Sequence, residues 1–161
     1  MKKLVLLVVV LVLASCTSVE NVQEKKVGSK ITTEERSTYT GELINYYENG
    51  NISSKENLKE GKKEGVCIYF YENGKPKMKS TYINGVKEGT SLEYYESGYI
   101  KAKNNFKNGK LSGLNIQFYE NGKVNVKIHN KDGVKDGQLI IYSEGGEILS
   151  KIEYKGGERV N

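Results

Sequence analysis

Apolar and polar residues alternate along most of this chain, and the alternation itself repeats. Ile44, Ile68, Leu92, Ile116 and Ile140 stand 24 residues apart, and two positions after each comes an aromatic: Tyr46, Phe70, Tyr94, Phe118 and Tyr142. A period of two built from β-branched and aromatic residues predicts a half-buried strand, from about Leu43 to Tyr47 and at its four equivalents. A second run spans about Ile52 to Leu58. Its columns are Ile52, Pro76, Ile100, Val124, Ile148 and, further on, Leu58, Tyr82, Phe106, Asn130, Tyr154. A helical reading fails, because no 3.6-residue period survives the glycines that interrupt the pattern.

Those glycines fall in three columns. Gly41, Gly65, Gly89, Gly113 and Gly137 form the first, and Gly50, Gly74, Gly98, Gly122 and Gly146 the second. Gly61, Gly85, Gly109, Gly133 and Gly157 form the third, and no copy inserts or deletes a residue. Self-similarity at a fixed period of this length identifies a repeat architecture. Asn49-Gly50, Asn73-Gly74 and Asn121-Gly122 are tight-turn dipeptides, with Ser97-Gly98 and Gly145-Gly146 as acceptable variants. A two-residue turn is the preferred reading; it sets Tyr47-type residues opposite Ile52-type residues. A three-residue loop with a glycine bulge would set Tyr46-type residues there instead. The stretch from Gly61 to Gly65, and its relatives, reads as a longer turn into the next copy.

The expected fold is therefore all-β: an elongated single-layer antiparallel meander of about five repeated hairpins within residues 39–161. The copies run 41–64, 65–88, 89–112, 113–136 and 137–160. Ten strands at about 4.8 Å each make a sheet roughly 45 Å long. One face should carry the aromatic and aliphatic rows, and the other should be wetter. Copy five has Ser143 in place of the tyrosine and Gly145 in place of the asparagine, the drift expected of a terminal repeat that caps an array.

Composition adds two points. There are 12 Tyr, three Phe and no Trp, so tyrosine must supply much of the buried surface. Glu48, Glu72, Glu96, Glu120 and Glu144 align, as do Lys55, Lys79, Lys103, Lys127 and Lys151. Recurring on every second strand, like charges sit about 9.6 Å apart, near one Debye length, and their repulsion is tolerable. They read as solvated rows.

The N-terminus has a different pattern. Lys2 and Lys3 precede an apolar run from Leu4 to Ala14, too short for the roughly 20 residues a bilayer span needs but suited to a secretory signal. The run ends in Leu13-Ala14-Ser15-Cys16, which resembles the bacterial lipobox. The resemblance implies a signal peptide over residues 1–15, cleavage between Ser15 and Cys16, and a thioether-linked diacylglycerol on Cys16. Two or three acyl chains hold a protein on a membrane, each contributing about 0.8 kcal/mol per buried CH₂. Residues 16–38 then read as the lipidated cysteine and a flexible tether, with room for a short strand near Ile31 to Thr33. Such a tether spans roughly 25 Å. Thr17 is not the aspartate that resembles an inner-membrane retention signal. The expected location is the cell envelope, on the outer membrane where the cell has two.

The repeat resembles the MORN repeat. Asn108-Gly109-Lys110-Leu111-Ser112-Gly113, preceded by Phe106 and followed by Phe118-Tyr119-Glu120-Asn121-Gly122, carries the likeness, specifically to the bacterial variant of about 24 residues. It extends from Gly41 to about Val160. Glu64, Glu88, Ser112 and Asp136 stand where the eukaryotic consensus usually has histidine, which weakens any transfer of eukaryotic lipid-binding roles. Bacterial members are often described as YwqK-like antitoxins, so a toxin is among the partners the resemblance implies.

Catalytic and metal chemistry find little support. His129 is the single histidine, excluding His-based triads and His-rich metal sites. Cys67 lies on a strand with no histidine in a matching column and reads as a packed thiol. The uniform Glu row lacks the one special carboxylate pair that a glycosidase needs. Once the signal peptide is removed, 23 basic residues face 20 acidic ones, too weak a balance to argue for nucleic acid. No enzyme, cofactor or metal is expected. The expectation is a lipid-anchored interaction module for a protein or peptide partner, with Tyr47, Tyr71, Tyr95 and Tyr119 as its interaction face. These tyrosines read equally well as sheet packing. An antitoxin or immunity protein, and a cell-wall or glycan-binding lipoprotein, are the alternatives.

Overall fold

The computed structural model describes residues 25–27 and 31–160. Ser15 and Cys16 lie outside the described residues. Strand β1 (Lys25–Val27) and helix α1 (Thr33–Thr38) precede the repeats. Copy one forms β2 (Gly41–Tyr46), β3 (Ile52–Lys59) and β4 (Lys62–Lys63); copy two forms β5 (Gly65–Phe70) and β6 (Pro76–Ile83). Then come β7 (Val86–Tyr94), β8 (Ile100–Lys107), β9 (Lys110–Leu111), β10 (Gly113–Phe118), β11 (Val124–Lys131), β12 (Val134–Tyr142), β13 (Ile148–Lys155) and β14 (Glu158–Val160). They make one open 14-stranded sheet in chain order, with β4 on β3 and β9 on β8. Every pair is antiparallel except β1 with β2, which is parallel. The expected meander is what forms.

The two turns of each repeat are exchanged relative to the expectation from sequence. At the first, the Tyr47 N–H donates to the Asn51 carbonyl and the Gly50 N–H to the Tyr47 carbonyl, enclosing a three-residue loop. Gly50 has φ +85°, and the register slips so that Tyr46 faces Ile52. The same bonds recur at Tyr71, Tyr95, Tyr119 and Ser143. The preferred two-residue turn is therefore wrong at this site: Asn49 does not take positive φ. Its side chain instead accepts from the Asn51 N–H at 2.9 Å, holding the residues two apart in an Asx turn. The two-residue turn lies at the other connection. Asn84 and Gly85 have φ +50° and +83°, joining Ile83 to Val86 as a type I′ turn. Glu60-Gly61, Asn108-Gly109, Asp132-Gly133 and Gly156-Gly157 do the same.

This exchange decides which residues share a face, because residues paired across strands point the same way. The Ile44-type, Tyr46-type, Ile52-type and Lys55-type columns all lie on one side, which we call the regular face. One residue per copy is bulged out of register near Ser53, so Leu58 falls on the opposite side from Ile52. The opposite side, the varied face, holds Leu43, Cys67, Ser91, Asn115 and Leu139 in one column and Glu56, Ser80, Asn104, Ile128 and Ile152 in another.

Burial reverses the expectation that the apolar rows mark the drier side. Apart from Tyr39 and Ile44, every strongly buried residue sits on the varied face, including Leu43, Leu58, Cys67, Ser80, Ser91 and Asn115. The regular face leaves Tyr46 47% and Ile100 40% exposed. Its lysine stems lie among the aliphatic side chains, as Lys103 does between Leu92 and Ile116.

The N-terminal edge is closed by the segment expected to be tether. The strand expected near Ile31 to Thr33 does not form. Thr32 instead caps α1 through a capping box with Glu35: the Glu35 N–H donates to the Thr32 hydroxyl and the Thr32 N–H to the Glu35 carboxylate. Tyr39 then packs with Leu43 and Leu58, and Ile31 against that cluster. Gly61 makes this approach possible, since a Cβ there would sit 2.4 Å from the Ser37 carbonyl oxygen.

Candidate functional site

The tyrosine row is built by the repeat itself. Each ring follows a regular-face aromatic and turns to the varied side at the mouth of the three-residue loop. The Tyr47 hydroxyl donates to the Phe70 carbonyl at 2.6 Å, Tyr71 to Tyr94 at 2.6 Å, Tyr95 to Phe118 at 2.7 Å and Tyr119 to Tyr142 at 2.7 Å. Every phenol thus crosses to the next copy. Asn49, Asn73 and Asn121 reach the carbonyls of Glu72, Glu96 and Glu144 beside them. Ser143 has no following copy to reach among the described residues; its hydroxyl accepts from the Glu147 N–H. Copy five thus has Ser143 and Gly145 at the places of Tyr and Asn, and among the described residues no further copy offers those side chains an acceptor.

The opposite end of the sheet is laced the same way. The Glu64 carboxylate accepts from the Asn84 N–H and Glu88 from the Asn108 N–H, both at 2.7 Å. Thr40 does this for Glu60 at 2.9 Å. These acceptors hold the type I′ turns of the next copy and give a structural purpose to Glu64 and Glu88, two of the positions where histidine is absent.

What differs between copies lies between these two laced ends. Copy one has Glu56, only 6% exposed, on the varied face. Arg36 from α1 donates to it at 2.5 Å and the Tyr69 hydroxyl donates to it at 2.6 Å. The Lys63 ammonium lies 3.2 Å from the same carboxylate and donates to the Tyr69 hydroxyl oxygen. Burial works to raise the Glu56 pKa, but the Arg36 and Tyr69 hydrogen bonds and the Lys63 charge outweigh it and hold the carboxyl below its usual range. Burial likewise works to lower Lys63, yet its bond to Tyr69 and the Glu56 charge push it up to about 12. Tyr69 is pushed up to about 12, by burial first and then by donating to Glu56. The group is a closed network of matched charges.

Further along, the two central columns of the varied face become polar without charge. Ser80 and Ser91 hydroxyls meet at 2.6 Å, and the Asn115 amide donates to the Asn130 side-chain carbonyl at 2.9 Å. Copy five is largely apolar there, with Leu139, Ile141 and Ile152. Between these extremes lie two adjoining depressions of about 170 and 220 Å³. Tyr69, Tyr71, Met78 and Lys77 line the first; Tyr95, Asn104, Gln117 and Asn125 line the second; Glu93 and Lys101 line both. The Lys77 ammonium lies 5.5 Å from the Tyr71 ring centre and Lys101 5.7 Å from that of Tyr95, a cation–π distance. Glu93 is half-buried, and neither its side chain nor that of Asn104, Gln117 or Asn125 makes a hydrogen bond or ion pair among the described residues. The groove can thus accept and donate hydrogen bonds and offers one free negative charge.

Of the expected interaction face, Tyr71 and Tyr95 line this groove, with their hydroxyls already engaged. Gly50, Gly74, Gly98, Gly122 and Gly146 take positive φ in the three-residue loops. His129 is exposed. Cys67 is fully buried, and burial pushes its thiol up, away from nucleophilic reactivity. Glu56, Arg36, Lys63 and Glu93 were not singled out from sequence. Their signal was present as departures from the repeat: the column containing Glu93 reads Asn45, Tyr69, Glu93, Gln117, Ile141. Among the described residues, no group of three or more His, Cys, Asp or Glu side chains is placed to hold a metal, and no helix is long and apolar enough to cross a membrane.

A family model described as MORN repeat variant matches residues 39–60, 63–84, 87–108, 111–132 and 135–155. The matched segments keep the 24-residue spacing in five copies, each beginning two residues before the glycine that opens a repeat as numbered above. No curated protein matches the chain.

Proposed function

The chain belongs to the MORN repeat variant family, and from that premise we propose that it acts without catalysis, as an exported, lipid-anchored scaffold that binds a protein or peptide partner on its varied face. The observation that carries this reading is the contrast between copies. Positions that make strands and turns repeat five times, whereas the groove residues change from copy to copy and leave polar groups unpartnered. In a repeat array the framework is carried by the repeated positions, so side chains that differ between copies, reach solvent in a groove and lack partners support a recognition role. The Tyr row frames the groove and links the copies that form it. Anchoring through Cys16 rests on the lipobox-like sequence, and it would present the array at the envelope surface.

Crosslinking of the full chain to envelope proteins tests the reading. Recovery of one partner should fall with Gln117→Ala or the pair Tyr71→Ala and Tyr95→Ala, and should survive Lys103→Ala on the regular face. Equal recovery from all of them would remove the groove from the proposal. Fatty-acid labelling that persists in Cys16→Ala would remove the anchor. If the recovered partner is a toxin whose activity the chain suppresses, the scaffold is an immunity protein.

A second reading has its own observation. Glu93, Asn104, Gln117 and Asn125 are planar polar side chains, free and beside Tyr95, the chemistry that pairs with vicinal sugar hydroxyls. Saturable binding to purified peptidoglycan that depends on Asn104 and Gln117 would select a glycan ligand over a protein.

A further inference from the structure

We propose that the groove around Glu93 is a receptor for an arginine-bearing peptide segment, and that α1 on copy one shows how such a segment docks. This rests on the protein-partner reading above and names the chemistry of the partner.

The chain already binds one segment of itself on the varied face. Residues 31–39 lie over copy one, with no residue of α1 buried. Three things hold them there. Arg36 reaches Glu56. Tyr39 and Ile31 cover Leu43 and Leu58. Gly61 admits the backbone close to Ser37. The face in copy one is thus a site for a basic residue flanked by an aromatic and an aliphatic one.

The groove continues that site. Tyr69 belongs to both, since its hydroxyl donates to Glu56 while the residue lines the first depression. Moving along the sheet from Tyr69, the next copy presents Glu93 in the same column. Tyr71 and Met78 wall the groove there, supplying the apolar surface that Leu43 and Leu58 supply in copy one. The difference is occupancy. Glu56 has Arg36, Tyr69 and Lys63, whereas Glu93 has no partner among the described residues. Nearby lysines do not disqualify it, because Glu56 accepts Arg36 while Lys63 lies 3.2 Å away. Lys77 and Lys101 rest over the Tyr71 and Tyr95 rings. Beyond Glu93, the amides of Asn104, Gln117 and Asn125 can pair with the backbone of an extended or short helical segment. An arginine fits this arrangement better than a lysine, since its planar fork can meet a carboxylate and a neighbouring amide together.

The test uses the full chain and a synthetic peptide with the sequence of residues 31–39, acetylated and amidated, observed by backbone amide NMR. The expected result is fast-exchange shifts centred on Glu93, Ala102 and Gln117. Glu93→Gln should weaken binding about tenfold, as should alanine for arginine in the peptide, and raised salt should weaken it further. Unchanged amide shifts in the free variant confirm that Glu93→Gln keeps the fold. Shifts confined to Leu43 and Leu58 would mean that the peptide only exchanges with α1, and would overturn the proposal. So would equal affinity of the arginine and alanine peptides, or groove shifts produced by chitotriose and not by the peptide. If the peptide fails while partner recovery still depends on Gln117, only this inference fails. If recovery is also indifferent to the groove, the scaffold reading fails with it.

Discussion

The two faces of this sheet are made by the same strands and follow different rules. On the regular face, the aliphatic, aromatic and lysine columns recur in all five copies and, Ile44 excepted, stay at least partly exposed. On the varied face lie the most buried residues, and hardly a column keeps its residue type. A core is usually the most uniform part of a repeat array, because stacked copies must meet in the same way. Here hydrogen bonding maintains that register at the two laced ends: tyrosine hydroxyls and loop asparagines on one side, Glu64-type acceptors on the other. With spacing fixed at the margins, the middle of the varied face is free to differ, from the ionic network of copy one through serines and asparagines to the aliphatics of copy five.

The comparison breaks first if burial on the varied face contributes nothing. Leu43 is fully buried beneath Tyr39. Leu43→Ala should cost about 3 kcal/mol, transfer and cavity together. Ile116→Ala, half-buried on the regular face, should cost about half as much because water already reaches it. Urea unfolding of both variants checks this, and equal losses would mean that the two faces do not differ as cores.

The ionic network comes next. Glu56→Gln removes the charge that Arg36 and Lys63 share. The expected loss is about 2 kcal/mol, moderated because the Arg36 side chain remains 37% exposed. The pH dependence has a definite sign. Glu56 titrates lower in the folded chain, so its contribution is complete above its ordinary value of 4.5 and is lost as pH falls through the depressed folded value. Lys63 and Tyr69 are both raised to about 12, so their contributions are complete below 10 and disappear as pH rises from there to about 12. Melting temperature against pH should decline at both ends. Glu56→Gln should flatten the acid limb, and α1 amides should exchange faster than those of β10 and β11.

The third difference is between interior and terminal copies. Tyr95→Phe deletes the donor to the Phe118 carbonyl while keeping the ring. It should cost about 1 kcal/mol. Ser143→Ala, at the equivalent place in copy five, should cost less, because its hydroxyl only accepts a local loop N–H. Thermal melts of the pair measure whether the lacing stabilises the array.

The period, the strands and the single open layer were legible from the columns of Ile44, Tyr46 and Lys55. Turn chemistry misled, since Asn49-Gly50 and Asn84-Gly85 are the same dipeptide in different geometries. A side-chain acceptor bond from Asn49 keeps one in a three-residue loop, while Asn84 takes positive φ in the other. That choice adds a bulge near Ser53 and moves Leu58 to the face opposite Ile52, so the buried side could not be assigned without it. The groove was hidden for a further reason. Attention to repeated positions discards Glu56 and Glu93, which are informative because they do not repeat. Helix α1 was missed because six residues without a buried side chain leave no periodic pattern; its only marks are Thr32 and Glu35.

The smallest effect is expected where the pattern is most regular. Lys103 lies in the most conspicuous charged column, exposed between Leu92 and Ile116. Its ammonium makes no ion pair with a carboxylate among the described residues, and only its stem covers apolar surface. Lys103→Ala should therefore change stability by no more than about 0.5 kcal/mol. Partner recovery and peptide affinity should stay at the level of the unaltered chain, in contrast with Glu93→Gln. The pair inverts what regularity alone would rank: the residue repeated five times is dispensable for binding, and the one that occurs once in its column is required. A loss of binding in Lys103→Ala at unchanged stability would transfer the recognition surface to the regular face, with its half-exposed aromatics and lysine row as the contact.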